Sequence, residues 1–412
     1  MSNTQKKNVP ELRFPEFEGE WEEKQLGEVA KIYDGTHQTP KYTNEGIKFL
    51  SVENIKTLNS SKYISEEAFE KEFKIRPEFG DILMTRIGDI GTPSIVSSNE
   101  KFAYYVSLAL LKTKNLNSYF LKNLILSSSI QNELWRKTLH VAFPKKINKN
   151  EIGKIKINYP KKQEQQKIGK FFSKLDRQIE LEEQKLELLQ QQKKGYMQKI
   201  FSQELRFKDE NGNDYPEWEN VMLQKVLKDK TEGIKRGPFG GTLKKDIFIE
   251  SGYAVYEQRN AIYDISNFRY YINENKYKEM QSFSVQPNDI IMSCSGTIGR
   301  LSLIPQNFTK GIINQALIRF RTNHKIRSEF FLIFMRSNQM QRKILEANPG
   351  SAITNLVPVK ELKLIPFPLP VKFEQDKISQ FILIINRRIE QSEKKIESLK
   401  NRKQGFLQKL FV

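Results

Sequence analysis

One long heptad segment occurs twice in this chain, and that duplication limits the possible folds more than any other feature. In residues 160–201, Ile168, Phe172, Leu175, Ile179, Glu182, Leu186, Leu189, Lys193, Tyr196 and Ile200 follow at alternating steps of four and three. That spacing keeps one seam of a helix turned toward a partner. The same seam returns 210 positions later as Ile378, Ile382, Ile385, Ile389, Ser392, Ile396, Leu399, Lys403, Phe406 and Leu410. Even the polar interruptions fall at matching places. A helix of about 40 residues is roughly 60 Å long, more than a small domain needs, so each seam calls for a partner of similar length.

The connectivity supplies that partner. Only residues 202–204 join the first helical segment to the start of the second half, which places the second half at the C-terminal end of helix one and the N-terminal end of helix two. The two helices are therefore expected to run antiparallel as an intramolecular coiled coil, relating the halves by an approximate two-fold. A solvated rod or a strap between copies is the alternative for any single heptad segment.

Outside the helices the halves also begin and end alike. ELRF opens residues 11–30 and recurs at residues 204–207, with Trp218 in the place of Trp21. Loops and short apolar alternations follow, then the closest match: GDILMTRIGDIG (residues 80–91) against NDIIMSCSGTIG (residues 288–299). This reads as a buried strand, a glycine-bearing turn and a return strand over residues 94–96 and 301–304. Turn glycines alone explain the pattern, and a functional reading adds that the turn carries Arg86 or Arg300 toward phosphates. A further strand is expected over residues 106–111 and 312–320, then one helix over residues 118–136 and 328–345. The halves diverge at HVAFPKKINKNEIGKIKINYP and NPGSAITNLVPVKELKLIPFPLP, yet each closes on a strand and a proline, Pro160 or Pro370, that opens the long helix. The fold class is α+β: two tandem α/β domains (1–160 and 204–370) and two spacer helices (161–203 and 371–412).

Charge narrows the partner. Lys and Arg number 68 against 49 Asp and Glu, a formal charge of +19, which favours a polyanion such as nucleic acid. No apolar run reaches the eighteen or so residues of a membrane span, and the N-terminus lacks a signal-peptide core, so a soluble cytoplasmic protein is expected. Cys294 is the single cysteine, which excludes an internal disulfide framework and a multi-cysteine zinc site. The three histidines, His37, His140 and His324, have no ligand spacing. GPFGG (residues 237–241) lacks the Gly-Lys-Ser/Thr of a P-loop, and no nucleophile constellation or methyltransferase tetrapeptide is present. The chain reads as a binder without catalytic chemistry.

Several of these motifs, in this order and in duplicate, resemble the DNA-specificity subunit of type I restriction-modification systems over nearly the full length. They are LRFPEF and YPEW, the loops GTHQTPKYTNEG and GPFGGTLKK, the paired DI-x-M segments, and the helix starts Pro160 with Glu164, Gln165 and Ile168, and Pro370 with Glu374, Gln375 and Ile378. The first half departs from the family's Gly-Ser-Ala-x-x-Asn run, which the second half carries from Gly350 to Asn355; it has His140 to Lys146 there instead. The resemblance implies two target-recognition domains, each reading half of a split site in double-stranded DNA. The helix pair would act as a ruler holding half-site centres about one turn, roughly 34 Å, apart or slightly more. It implies two methyltransferase subunits that modify adenine at N6 with S-adenosylmethionine, and two motor-nuclease subunits that use ATP and Mg. No cofactor or metal is expected in this chain. By match to the family's loops, the DNA-contacting candidates are His37, Thr39, Lys41, Tyr42, Arg86, Lys145 and Lys146 in the first half, and Lys235, Arg236, Lys244, Lys245, Arg259, Arg300 and Ser351 in the second. A helical scaffold with nonspecific nucleic-acid binding is the rival reading.

Overall fold

The computed structural model describes residues 8–229, 232–239, 241–346 and 358–412. The chain divides into two compact units, residues 1–185 with 392–412 and residues 186–391, so each unit contains part of both long helices.

Unit 1 is built on a four-stranded antiparallel sheet in the order Ala30–Asp34, Leu108–Thr113, Ile82–Ile87, Asp89–Ile95. Its two central strands are apolar on both faces because both faces are covered. Ile82, Met84, Ala109 and Leu111 pack into one core with the helices. Leu83, Leu108 and Leu110 point into a second core, shared with the small sheet of Tyr63–Ile64, Ile47–Leu50 and Phe102–Tyr104. Strand Glu22–Gln25 pairs with Lys156–Tyr159 and brings the two ends of the domain together.

Unit 2 repeats this plan. Ile234–Arg236, Leu317–Phe320, Ile290–Ser293 and Leu301–Leu303 form the four-stranded sheet, Tyr271–Ile272, Tyr253–Tyr256 and Gly311–Ile313 the small one, and Glu219–Met222 pairs with Pro366–Leu369. The central strands again divide their side chains, Ile290 and Met292 toward one core and Ile291 toward the other.

Three local expectations change. The helix expected over residues 118–136 is two, Ser118–Leu126 and Ser128–Arg136. Ser127 breaks it: its backbone is extended, and its hydroxyl donates to the Leu124 carbonyl at 2.7 Å. The second half breaks likewise, into Ser328–Met335 and Asn338–Glu346. The strand expected over residues 312–320 is also two, one in each sheet. In unit 1 the return strand begins directly after the turn at Gly88, at Asp89. The later glycine of each turn has a packing reason. Gly91 and Gly299 have positive φ, and an added Cβ would lie 2.8 Å from Leu134 or 2.7 Å from Gln341. Gln131 and Gln341 instead donate to the carbonyls of Gly91 and Gly299 at 2.8 and 3.0 Å, fastening the second short helix to the hairpin.

The long helices, Lys162–Phe201 and Lys372–Lys409, run antiparallel within each unit. In unit 1, Asp176, Glu182 and Glu183 of the first meet Lys403, Lys395 and Lys400 of the second, so early positions face late ones. In unit 2, Tyr196 meets Phe381 at 5.0 Å. Ile168, Phe172, Leu175, Ile179, Ile378, Ile382, Ile385, Ile396 and Leu399 are buried, and Leu186, Leu189 and Ile389 half-buried.

The repeated Glu-Gln at each helix start is a latch. Gln165 donates to the Pro160 carbonyl at 2.8 Å and accepts from the Asn117 amide at 3.0 Å. Gln375 donates to Pro370 at 2.8 Å and accepts from Arg327 at 2.7 Å. Glu164 takes the Arg13 guanidinium at 2.8 and 2.7 Å, and Glu374 takes Arg206 at 3.2 and 2.8 Å. The ELRF motif is thus the arginine that locks each lead-in segment onto a helix.

Candidate nucleic-acid interface

In unit 1 the sheet edge strand Ala30–Asp34 runs into the loop of residues 35–46, which exposes His37, Thr39, Lys41 and Tyr42. Tyr42 is braced: its ring meets Phe49 edge-on at 5.7 Å, and the Lys62 ammonium lies 5.9 Å from it. This loop presents donors, a cation and an aromatic face together, the inventory used on phosphates and base edges.

Arg86 does not join them. The side chain expected at the phosphates is 5% exposed, and its guanidinium is spent on Asp34 and on the Ile147 carbonyl, the latter at 3.0 Å. An arginine takes such a buried place only when its charge and donors are answered. Its role is positional: it ties the start of the 35–46 loop to the segment that ends the 139–146 loop. The partner Asp34 lies 52 positions away, out of reach of local pattern reading.

The 139–146 loop carries Lys145 and Lys146, both exposed. It is closed by the Leu139 amide donating to the Lys146 carbonyl at 2.8 Å, and it is held to the hairpin turn by Gly88 donating to Lys145 at 2.8 Å. Beside it the half-exposed Trp135 ring meets His140 at 4.3 Å and the Lys145 ammonium at 4.6 Å. At its tip Val141 and Phe143 are 98% and 104% exposed. Loop hydrophobes beside Pro and paired lysines, outside any helical or strand period, were the available signal for these two residues.

In unit 2, Lys235 and Arg236 are half-buried on Ile234–Arg236, Lys235 lying 4.9 Å from the Phe283 ring. Arg236 adjoins Cys294, whose thiol is pushed up by burial against the opposing pull of that guanidinium. Arg259 is half-buried on the helix Gln258–Tyr263, and the neighbouring Gln258 lies against the turn at Gly296. Arg300 is exposed just past that turn, and Lys244 and Lys245 are exposed at a short turn of helix. Ser351 lies outside the described residues. Phe239 and Tyr263, at 88% and 70% exposure, are further aromatics that the sequence reading did not single out. Among the described residues, no group of three or more His, Cys, Asp or Glu is placed to hold a metal ion, and no helix is long and apolar enough to cross a membrane.

Residues 18–191 and 235–401 match the family described as Type I restriction modification DNA specificity domain. The chain belongs to this family. A relative assigned as the type I restriction enzyme MjaX specificity subunit of Methanocaldococcus jannaschii is 25% identical over 98% of this chain and 96% of its own. The crystal structure of the type I restriction-modification S subunit from M. genitalium shares the fold, with a TM-score of 0.60 at 16% identity over 98% and 99% of the two chains. A chain from a study of complex assembly and conformational transition in the type I system aligns at 0.55 over 94% and 96%, also at 16% identity. As a member of this family, whose specificity subunits are non-catalytic, the chain recognises a DNA target.

Proposed function

We infer that this specificity subunit reads a bipartite target, one half-site per recognition domain (1–160 and 204–370), with the spacer helices 161–203 and 371–412 setting the gap. The observation that carries this is the pairing of two like scaffolds with two unlike reading surfaces. Strand order, latch and hairpin recur in both units, whereas the exposed groups differ: His37, Lys41 and Phe143 in one, Lys244, Arg300 and Phe239 in the other. Equal frames with different side chains read different bases. Two methyltransferase subunits then deliver an S-adenosylmethionine-dependent methyl group to adenine N6 at the site, and two motor-nuclease subunits, using ATP and Mg, act on unmodified DNA.

Mapping N6-methyladenine across the host genome, with and without this gene, tests the reading. The expected result is one gapped motif that vanishes on deletion. A single uninterrupted motif would reject the split target, and no gene-dependent motif would favour the nonspecific scaffold. Matched seven-residue insertions in both long helices are expected to lengthen the gap. Unchanged spacing in such a variant would remove the helices as its determinant.

A further inference from the structure

The tip of the 139–146 loop combines three properties. Its apolar side chains stand fully in water, where burial of a ring or an isopropyl group is the favourable change. Its base is held: besides the Leu139–Lys146 and Gly88–Lys145 bonds, Thr138 donates to the Leu134 carbonyl at 2.7 Å, and His140 is 3.0 Å from the Trp135 carbonyl. And its own residues carry only positive charge: Arg136, Lys137 and Lys149 are paired with Glu133, Glu151 and Asp34 at 2.8, 3.8 and 3.6 Å, and Lys145 and Lys146 are the cations next to the tip. Residues 134–150 contain Arg136, Lys137, Lys145, Lys146 and Lys149 and no Asp or Glu.

Phe143 stays in water. The adjacent face of Trp135 is occupied by His140 and Lys145 instead, so the loop spends its polar groups on the tryptophan and presents its phenylalanine. A protein partner is the poorer match for such a tip, because interface cores are depleted in lysine. A duplex answers both parts at once: phosphates for the lysines, and the base stack for the ring. Apolar wedges that part a base step are an established way for proteins to read and bend DNA.

We propose that Phe143 is such a wedge, entering the stack at one step of the first half-site, with Lys145 and Lys146 on the flanking phosphates and Val141 against the sugar edge. Arg86 then has a role in recognition without touching DNA, because its bond to Ile147 fixes the stem from which the wedge projects. The proposal rests on the reading of the first unit as a recogniser of duplex DNA.

The test uses the full chain with its methyltransferase partner and duplexes carrying the mapped motif, 2-aminopurine replacing each adenine in or beside the first half-site in turn. Wild type is expected to raise fluorescence at one step distinct from the methylated adenine. Phe143→Ala should abolish that signal, leave the melting temperature unchanged, and weaken binding about tenfold or more, the scale of a lost base–aromatic contact. Phe143→Leu should keep most of the signal, since leucine also serves as a wedge. Lys145→Ala with Lys146→Ala should keep the signal and flatten the salt dependence. An Ala variant with unchanged affinity and fluorescence overturns the wedge. So does one that loses the methyltransferase partner but not the DNA, which makes Phe143 a protein contact. If wild type binds no duplex bearing the motif, it is the DNA-recognition reading that fails, and the wedge with it.

Discussion

The two units fasten their long helices with equivalent side chains but satisfy them differently. Glu374 is fully buried and receives Arg206 and, at 2.9 Å, the indole N–H of Trp218. Glu164 in unit 1 receives Arg13, while the equivalent indole N–H of Trp21 is buried and has no acceptor among the described residues. The sheets differ in the same sense. Arg321 grips the buried Asp289 at 2.8 and 2.9 Å with two of its nitrogens, where unit 1 pairs Lys112 with the better-solvated Asp81 at 2.6 Å. A duplicated backbone fixes where a buried carboxylate must sit; it does not fix how completely that carboxylate is answered. Equivalent substitutions should therefore cost unequal amounts in the two units.

Glu374→Ala is expected to have the largest effect. It strands a guanidinium and an indole N–H together, and loss of one partner of a buried pair costs about 3–5 kcal/mol. Glu164→Ala should cost less by about the worth of one hydrogen bond to a charged group, ~1.5–3 kcal/mol. Urea unfolding with hydrogen exchange resolved by unit would show this, and equal losses would break the comparison. Next comes the sheet pair. Arg321→Ala leaves the buried Asp289 with the Gln286 amide but without its guanidinium, and should unfold unit 2 at lower urea than Lys112→Ala unfolds unit 1, by about 1–2 kcal/mol given the partial solvation of Asp81. The tryptophans sharpen the cause. Trp218→Phe forfeits a bond to a buried carboxylate, whereas Trp21→Phe removes a donor that has no acceptor; both lose similar ring area. If Trp21→Phe proves the costlier of the two in thermal melts, the hydrogen bond is not what distinguishes the latches.

The parts legible in the sequence were those fixed by period and duplication. The seam follows from the alternation of four and three, and the buried central strands from ILM and IIM, because side-chain direction in a helix or strand depends on local spacing alone. The breaks at Ser127 and Ser337 were missed although serines mark both; amphipathic spacing ran on through them, and the competing cap chemistry lost in the reading. Arg86 was misplaced for another reason. Its sequence neighbours, Thr85 and Ile87, say nothing of Asp34 and Ile147, and an arginine in a glycine-rich turn of a basic chain looks like a phosphate ligand until its partners arrive through tertiary structure. The exposed state of Phe143 is likewise a property of what fails to cover it, which no window of sequence contains.

The smallest expected effect concerns a place on the seam where two repeat-equivalent residues of unlike chemistry touch. Ser392 donates to the buried Glu182 carboxylate at 2.9 Å, and Lys395 and Lys185 lie 2.8 and 3.0 Å from it. The hydrogen bonds from Lys395, Lys185 and Ser392 outweigh burial and hold this carboxyl at about 2. Its unfolded value is near 4.3, so the folded state binds the proton less well. The stabilisation is therefore complete above roughly pH 4.3 and lost as pH falls toward 2. Both lysines are more than half exposed, so solvent screening keeps the effect below about 1 kcal/mol. Glu182→Gln preserves an acceptor for Ser392 but removes the charge. Its melting temperature should sit slightly below wild type at neutral pH and converge with it in acid, and raised salt at neutral pH should narrow the gap in the same way. A gap that persists unchanged at pH 2 would assign the contribution of Glu182 to packing of the seam and not to its two lysines.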